Sequence, residues 1–536
     1  GNHKTSERGH VLLINWSSFT VPTLLQLESA RKDGRKLSTV VVLSSKPKEE
    51  MDEEVAERVG KVGIQILTRQ GDPTTVRALD RVSAGAAQMV LVSIPDEFAP
   101  DQQRAQELLS TQMACLHILR QRRQPSKQVG ARERDVHVVV TAPFIPPVEV
   151  LHGACFSPRN DFAIRLLALS ALHPGIARVY QELLHSSSGS ELYIRGIEAW
   201  PWLHGLNFWE AGKYFDNAVV LGWFEGDGES SKICLHPPRD HVIRAGVRLI
   251  LLAQDSSIKC SRRDLRPRTV AAAPTTNDMT EASQPRVRTS WTRGRKVLVL
   301  NYRHQTGLLQ RLDEALPAGS AIDVQTCSPT IRLPRSRRGV RLQCVATSPL
   351  SASSAKQLPW TSYDSCIVLR DLEPRPGSDV DARTLASISF GLEALQSEGG
   401  AGEEGKTLHI VVSLQKGRTK AVVRALVAGA GVSVDTVQPE LLESGALAQL
   451  LISPQLQPLY NHLLSSTSSE IVLLEAATVV EPGSAETFGH VSSLLEDRGL
   501  LALGFLSQAG QLTLAPRRGR LFRFSFGDRL VVLNAS

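Results

Sequence analysis

Four carboxylates fall in two short stretches of the first half of the sequence. Asp72 lies in Arg69-Gln70-Gly71-Asp72-Pro73, and Asp96, Glu97 and Asp101 follow the next apolar run. Hard dications such as calcium take about six to eight oxygen ligands, and carboxylates supply them well. In a doubly wound sheet the ligand crevice lies beyond the carboxyl ends of the strands, and that topology would bring these four side chains near one another. Asp72 and Asp101 also stand where helices would begin, so each has a plainer role as a helix cap. In the second half of the chain Ser348 and Pro349 occupy the place of Asp72, and no equivalent site is expected there.

Other chemistry is hard to find. The chain has no G-x-S-x-G elbow, H-E-x-x-H pair, Walker A loop or EF-hand pattern, so no catalytic residues are assigned and an enzyme is not expected. Fourteen histidines are dispersed; His117 and His137 read as core or interface residues because no partner ligands sit at metal spacing. Seven cysteines, Cys115, Cys155, Cys234, Cys260, Cys327, Cys344 and Cys366, form no C-x-x-C pair. That pattern favours a reducing compartment.

The elements that would position such residues occur twice. An apolar strand ending in Asn15-Trp16 and leading into an amphipathic helix is answered by a strand ending in Asn301-Tyr302. Further apolar runs keep the same order: 38–43 with 321–325, 62–67 with 340–346, 89–93 with 365–369, and 136–141 with 408–413. Helical stretches fall between them, the longest being 101–120 and 379–396. A second match is more specific. Tyr180, Leu183, Leu184, a Ser-rich turn and Glu191 are answered by Tyr460, Leu463, Leu464, a Ser-rich turn and Glu470. Continuous apolar strands alternating with helices require a parallel sheet covered on both faces. The expected fold class is α/β, with tandem Rossmann-like domains, each followed by a helical pair and a small β-rich lobe. Its divisions are 1–160 and 161–258 for the first copy, a linker at 259–294, then 295–437 and 438–536 for the second. Polar excursions at 371–380 and 397–406 read as loops.

A dinucleotide site needs glycines after the first strand and an acid after the second. The first turns instead read Asn15-Trp16-Ser17-Ser18 and Asn301-Tyr302-Arg303-His304, and strand two of the first copy ends in Leu43-Ser44-Ser45. No bound cofactor is therefore assigned, and NAD in its usual pose is not expected.

At 536 residues, with 42% apolar and 21% charged residues, the composition is that of an ordinary globular chain. No stretch approaches the roughly eighteen apolar residues of a membrane span. The polar start Gly1-Asn2-His3-Lys4 reads as a cut end and not as a signal peptide. The net charge of +7 gathers at 262–268, 286–296, 332–341 and 517–523. Only Trp291 and Phe522 come close to interleaving aromatics with arginines, so these runs read as solvated loops and nucleic acid is not expected as a partner.

In their order, Gly9-His10, the Asn15-Trp16 turn and Arg69-Gln70-Gly71-Asp72-Pro73 resemble RCK domains, regulators of cation conductance. More narrowly, the Glu-rich stretch 46–57, Pro100-Asp101-Gln102, Ala177-Arg178-Val179-Tyr180, Tyr193-Ile194 and Gly205-Leu206-Asn207-Phe208 resemble the non-membrane half of CASTOR/POLLUX channels. The likeness is strong over 9–255 and looser over 296–536. It implies a homotetrameric gating ring on a cation pore whose helices precede residue 1. It also implies a membrane protein of the nuclear or plastid envelope, with calcium (Ca2+) as the candidate effector at Asp72, Asp96, Glu97 and Asp101. A divergent NAD(P)-binding oxidoreductase, or a scaffold with the same fold and no pore, are the alternatives.

Overall fold

A computed structural model gives the fold. It describes residues 9–32, 35–122, 136–159, 161–184, 190–226, 232–238, 241–261, 293–303, 305–326, 331, 333–370, 379–399, 407–464 and 470–534. Most of the linker expected at 259–294, the basic run 262–268, much of the run 286–296 and most of the two polar excursions lie outside the described residues.

The first copy runs β1 (Val11–Ile14), α1 (Thr20–Lys32), β2 (Thr39–Ser44), α2 (Lys48–Arg58), β3 (Gln65–Gln70), α3 (Val76–Arg81), β4 (Met89–Ser93), α4 (Gln102–Arg122), β5 (His137–Ala142), α5 (Val148–Leu151), β6 (Cys155–Pro158), α6 (Asp161–Leu172) and α7 (Ile176–Leu184). Its small lobe follows as β7 (Glu191–Gly196), α8 (Phe208–Lys213), β8 (Ala218–Glu225), β9 (Lys232–Leu235) and β10 (Arg248–Ala253). The second copy begins with β11 (Lys296–Tyr302), α9 (Thr306–Ala315), β12 (Ala321–Thr326), β13 (Arg341–Ala346), α10 (Ala352–Ala355), β14 (Ser365–Val368), α11 (Ala382–Ser397), β15 (His409–Ser413), α12 (Thr419–Val427), β16 (Ser433–Val437), α13 (Pro439–Ile452) and α14 (Leu456–Leu463). It ends with β17 (Glu470–Glu475), β18 (Ala485–Thr487), α15 (Phe488–Glu496), β19 (Leu500–Leu506), β20 (Leu512–Leu514), β21 (Leu521–Arg523) and β22 (Arg529–Asn534).

Both large sheets are parallel and six-stranded, ordered β3-β2-β1-β4-β5-β6 and β13-β12-β11-β14-β15-β16. Every residue of β1, β2 and β4 is buried, which is why these strands are unbroken apolar runs. The apolar runs of the sequence account for five strands in each copy; β6 and β16 add a sixth. Both are edge strands, one ending in Pro158 and the other carrying Asp435 in alternation with valines, so neither has the continuous apolar signal of a central strand.

The chain forms two compact units. One joins Gly1–Ser188 to Arg295–Tyr460, and the other joins Gly189–Gly294 to Asn461–Ser536. The helical pairs thus sit with the large sheets, and they are exchanged: α6 packs on α9, β14, β15 and β16 of the second copy, and α13 packs on α1, β4 and β5 of the first. The residues explain why. Nine of the twelve positions of α6 and eleven of the fourteen of α13 are buried, and a helix that is apolar nearly all round needs cover on every side.

In the second unit, two four-stranded antiparallel sheets are ordered β7-β10-β8-β9 and β17-β22-β19-β20. Each carries one bulge against its last strand, within β8 in one lobe and within β19 in the other. Gly222 and Gly504 stand at those bulges. A side chain on Gly222, whose φ is 152°, would collide with the Cys234 carbonyl, and one on Gly504 with the Thr513 carbonyl. Gly222→Val is therefore expected to destabilise the protein by roughly 3 kcal/mol or more, through overpacking and backbone strain together. Thermal unfolding checks this, and an unchanged melting temperature would contradict it.

Candidate functional site

The first βα turns come first, since ligands of doubly wound sheets bind there. Asn15 and Asn301 both hold left-handed backbone, with φ of 73° and 59°. Asparagine tolerates that region better than other residues with a Cβ. Each then turns its amide into the crevice where the strand order reverses. Asn15 Nδ2 donates to the Ser93 carbonyl at 2.6 Å and to Gln112 Oε1 at 3.0 Å, and Gln112 Nε2 donates back to Asn15 Oδ1 at 3.0 Å. In the second copy Asn301 Nδ2 donates to the Leu369 carbonyl at 3.1 Å and to Ser387 Oγ at 3.2 Å. Gln112 comes from α4 and Ser387 from α11, so the long helices close both crevices with buried polar networks. The Ser18 amide, a donor a phosphate would need, gives its proton to Asp96 Oδ2 at 2.7 Å. Lys46 Nζ lies 5.0 Å from the centre of the Trp16 ring beside this turn.

Three of the four acidic residues are engaged separately. Asp72 Oδ1 accepts from the Thr74 amide at 2.9 Å and its hydroxyl at 2.6 Å, an Asx turn before α3. Asp101 Oδ1 accepts from the Arg104 amide at 3.1 Å and caps α4. Asp96 Oδ1 accepts from Ser18 Oγ at 3.2 Å and from Arg159 Nη1 at 2.9 Å. Glu97 lies beside Asp96 in a single helical turn, Asp96–Phe98. Among the described residues no group of three or more His, Cys, Asp or Glu side chains is placed to hold a metal ion.

A cluster that motif reading missed joins the two copies. The Arg159 side chain is 6% exposed and lies 5.1 Å from the centre of the Phe19 ring. Burial lowers its pKa, opposed by the Asp96 carboxylate. Next to it Glu443 of α13, wholly buried, accepts from the Ala163 amide at 3.1 Å in the first turn of α6. Burial, with Asp161 nearby, pushes the Glu443 carboxyl up to about 8, against the amides of Ala163 and Phe162 and the charge of Arg159. The same seam recurs further along. Asp435 Oδ2 accepts from the Gly175 amide at 2.7 Å just before α7, Gln181 Nε2 donates to the Thr436 carbonyl at 2.6 Å, and His137 Nε2 meets the Leu450 carbonyl at 2.9 Å. His137 is thus an interface residue, while His117 stacks on His152 at 4.5 Å. The signal for Glu443 was present in the sequence as one of two acids, with Glu440, in an otherwise apolar helix; Arg159 had no comparable signal.

Residues 160–267 match a family model described as "Castor and Pollux, part of voltage-gated ion channel". Over 262 residues the chain is 29% identical to "Probable ion channel SYM8" of Pisum sativum, covering 48% of this chain and 27% of that protein. Over 263 residues it is 30% identical to "Probable ion channel POLLUX" of Arabidopsis thaliana, covering 48% of this chain and 29% of that protein. The matched part thus spans less than a third of the length of these relatives. The human SLO3 gating ring superposes with a TM-score of 0.62 at 12% identity, covering 98% of this chain and 99% of that one, a likeness of fold.

Two outcomes follow from this geometry. Titration calorimetry with NADH is expected to show no saturable binding; tight, stoichiometric binding abolished by Ser17→Trp would overturn the reading of the crevices. The second concerns pH. Glu443 has a folded pKa above its unfolded one, so its protonated form favours the fold. That stability is fully present below about pH 4 and declines by about 1.4 kcal/mol per pH unit until it levels off near the folded value. Glu443→Gln is expected to flatten this part of the pH profile and raise stability at pH 8 above that of the native chain. Denaturant unfolding across pH 4 to 9 reads it.

Proposed function

We propose that this chain, a Castor/Pollux segment on the RCK gating-ring fold, is the regulatory module of an ion channel and answers a ligand by changing how its two copies pack. The observation that carries the reading is the exchange of α6 and α13 between the large sheets. Each copy covers the other's core, so a ligand that prefers one packing shifts both sheets at once, and only such a preference can shift them. Among the described residues no helix is long and apolar enough to cross a membrane, and the proposed pore is assigned to residues outside them.

The alternative of a nucleotide-dependent oxidoreductase loses support from the filled crevices and from relatives that are named as ion channels. A scaffold without a pore is separated by assembly and conductance. A ring needs a surface for a second copy, and Ile145 before α5 and Val148 at its start, 82% and 80% exposed, form a candidate patch.

Calcium is the first effector to test, at Asp72, Asp96, Glu97 and Asp101. To bind there it must draw Asp96 away from Ser18 and Arg159, open the turn that Asp72 makes with Thr74 and release the cap at Asp101.

In the full channel, light scattering is expected to give a tetramer, and Ile145→Glu with Val148→Glu to reduce it to smaller species. A native full-length protein that stays monomeric, or conducts no ions in bilayers under any ligand, would sink the gating-ring reading. If calcium binds at these carboxylates, Asp72→Asn with Asp96→Asn abolishes the calcium-induced rise in melting temperature while the turn at residue 72 survives, since an amide oxygen still accepts from Thr74. A rise that survives both substitutions would place the cation elsewhere.

A further inference from the structure

In the second unit the small lobes meet around a cleft that opens to solvent. Equivalent elements of the two copies line it: α8 and α15, β8 and β19, with the loop that carries Arg518 on one side. Phe208 and Phe488 each open their helix. Val219-Val220 precede Gly222 by the same spacing as Leu501-Ala502 precede Gly504. The copies differ at the next helical position, which is Trp209 in one and Gly489 in the other.

That difference shapes the cleft. The Gly489 amide donates to the Arg518 carbonyl at 2.8 Å, and the Arg518 amide donates to the Asp216 carbonyl of the other lobe at 2.9 Å. A side chain at Gly489 would press on the Arg518 backbone. The missing indole thus admits the loop, and the loop delivers the Arg518 side chain to a wall that is otherwise mostly aromatic and aliphatic. Charges around the cleft are not all matched. Lys213 Nζ and Glu496 Oε1 pair at 3.2 Å. Arg518 feels Glu496 and Asp216 at longer range, and burial lowers its pKa, yet among the described residues no hydrogen bond or ion pair of its guanidinium is made.

We propose that this cleft binds a small organic anion with a flat apolar body, its acid group on Arg518 and its ring system against Trp209 and Phe488. A guanidinium presents paired donors that suit carboxylate, sulfonate or phosphate oxygens, and they act more strongly between apolar walls than in water. The lining is that of a small-molecule site, mostly apolar with few polar anchors. The inference concerns binding alone and stands whether or not the chain regulates a pore.

The probe is anilinonaphthalene sulfonate, added to the full chain. Saturable, blue-shifted emission at one site per chain is expected, with tryptophan energy transfer that falls in Trp209→Phe. Arg518→Gln should weaken binding by about tenfold or more, and phenylnaphthylamine, the same body without its acid, should bind more weakly by a similar factor and ignore that substitution. Ser492→Phe, which fills the cleft from α15, serves as the second variant and should abolish the emission while near-ultraviolet circular dichroism stays native. Emission that does not saturate, that both variants leave intact, or that the neutral probe matches would overturn the proposal.

Discussion

A parallel sheet buried on both faces must be covered by helices, and in this protein that requirement is met across the duplication. Each large sheet has a face whose cover comes from the other copy, α6 on the second sheet and α13 on the first. Leu166, Leu167 and Leu169 of α6, and Leu447, Leu450 and Leu451 of α13, are all buried. Each such side chain contributes on the order of 2 kcal/mol when removed from water. Separating the copies would expose both sets together, so the large sheets form one compact unit and not two.

The polar groups along this seam follow from the same exchange. Bringing the start of α6 against α13 leaves backbone amides facing an apolar helix, and buried amides need acceptors. Glu443 supplies one at Ala163, and Asp435 supplies another at Gly175 before α7. A helix N-terminus favours a nearby anion, whereas full burial disfavours charge. At Glu443 burial wins, and its carboxyl is held well above the ordinary range. Arg159 connects this seam to the first crevice, because its guanidinium reaches both Asp96 and the Ile94 carbonyl. Across the crevice at which other doubly wound sheets hold a dinucleotide, Asn15 and Gln112 here exchange two hydrogen bonds.

The duplication is unequal, and the differences fall where backbone must approach backbone or where space is left. Gly222 and Gly504 are kept in both small lobes because each faces a neighbouring carbonyl at a bulge. Trp209 and Gly489 diverge, and the smaller residue admits the Arg518 loop.

The sequence by itself determined the succession of strands and helices along the chain, the twofold repeat, the absence of a glycine-rich phosphate turn and the presence of small β lobes, because apolar runs and turn residues act over a few neighbours. It did not disclose the edge strands β6 and β16, whose residues lack an unbroken apolar run. Asp72, Asp96, Glu97 and Asp101 were legible as acids near strand ends, but which donors they meet depended on loops folding back: Ser18 and Arg159 lie 78 and 63 residues from Asp96. Only the tertiary structure decided which sheet each apolar helix covers, since α6 and α13 are hydrophobic nearly all round and carry no stripe that names a partner. Glu443, 280 residues from Ala163, acquired its role solely through that choice. A helix pattern records how much surface must be buried, whereas long-range packing selects against which surface it is buried.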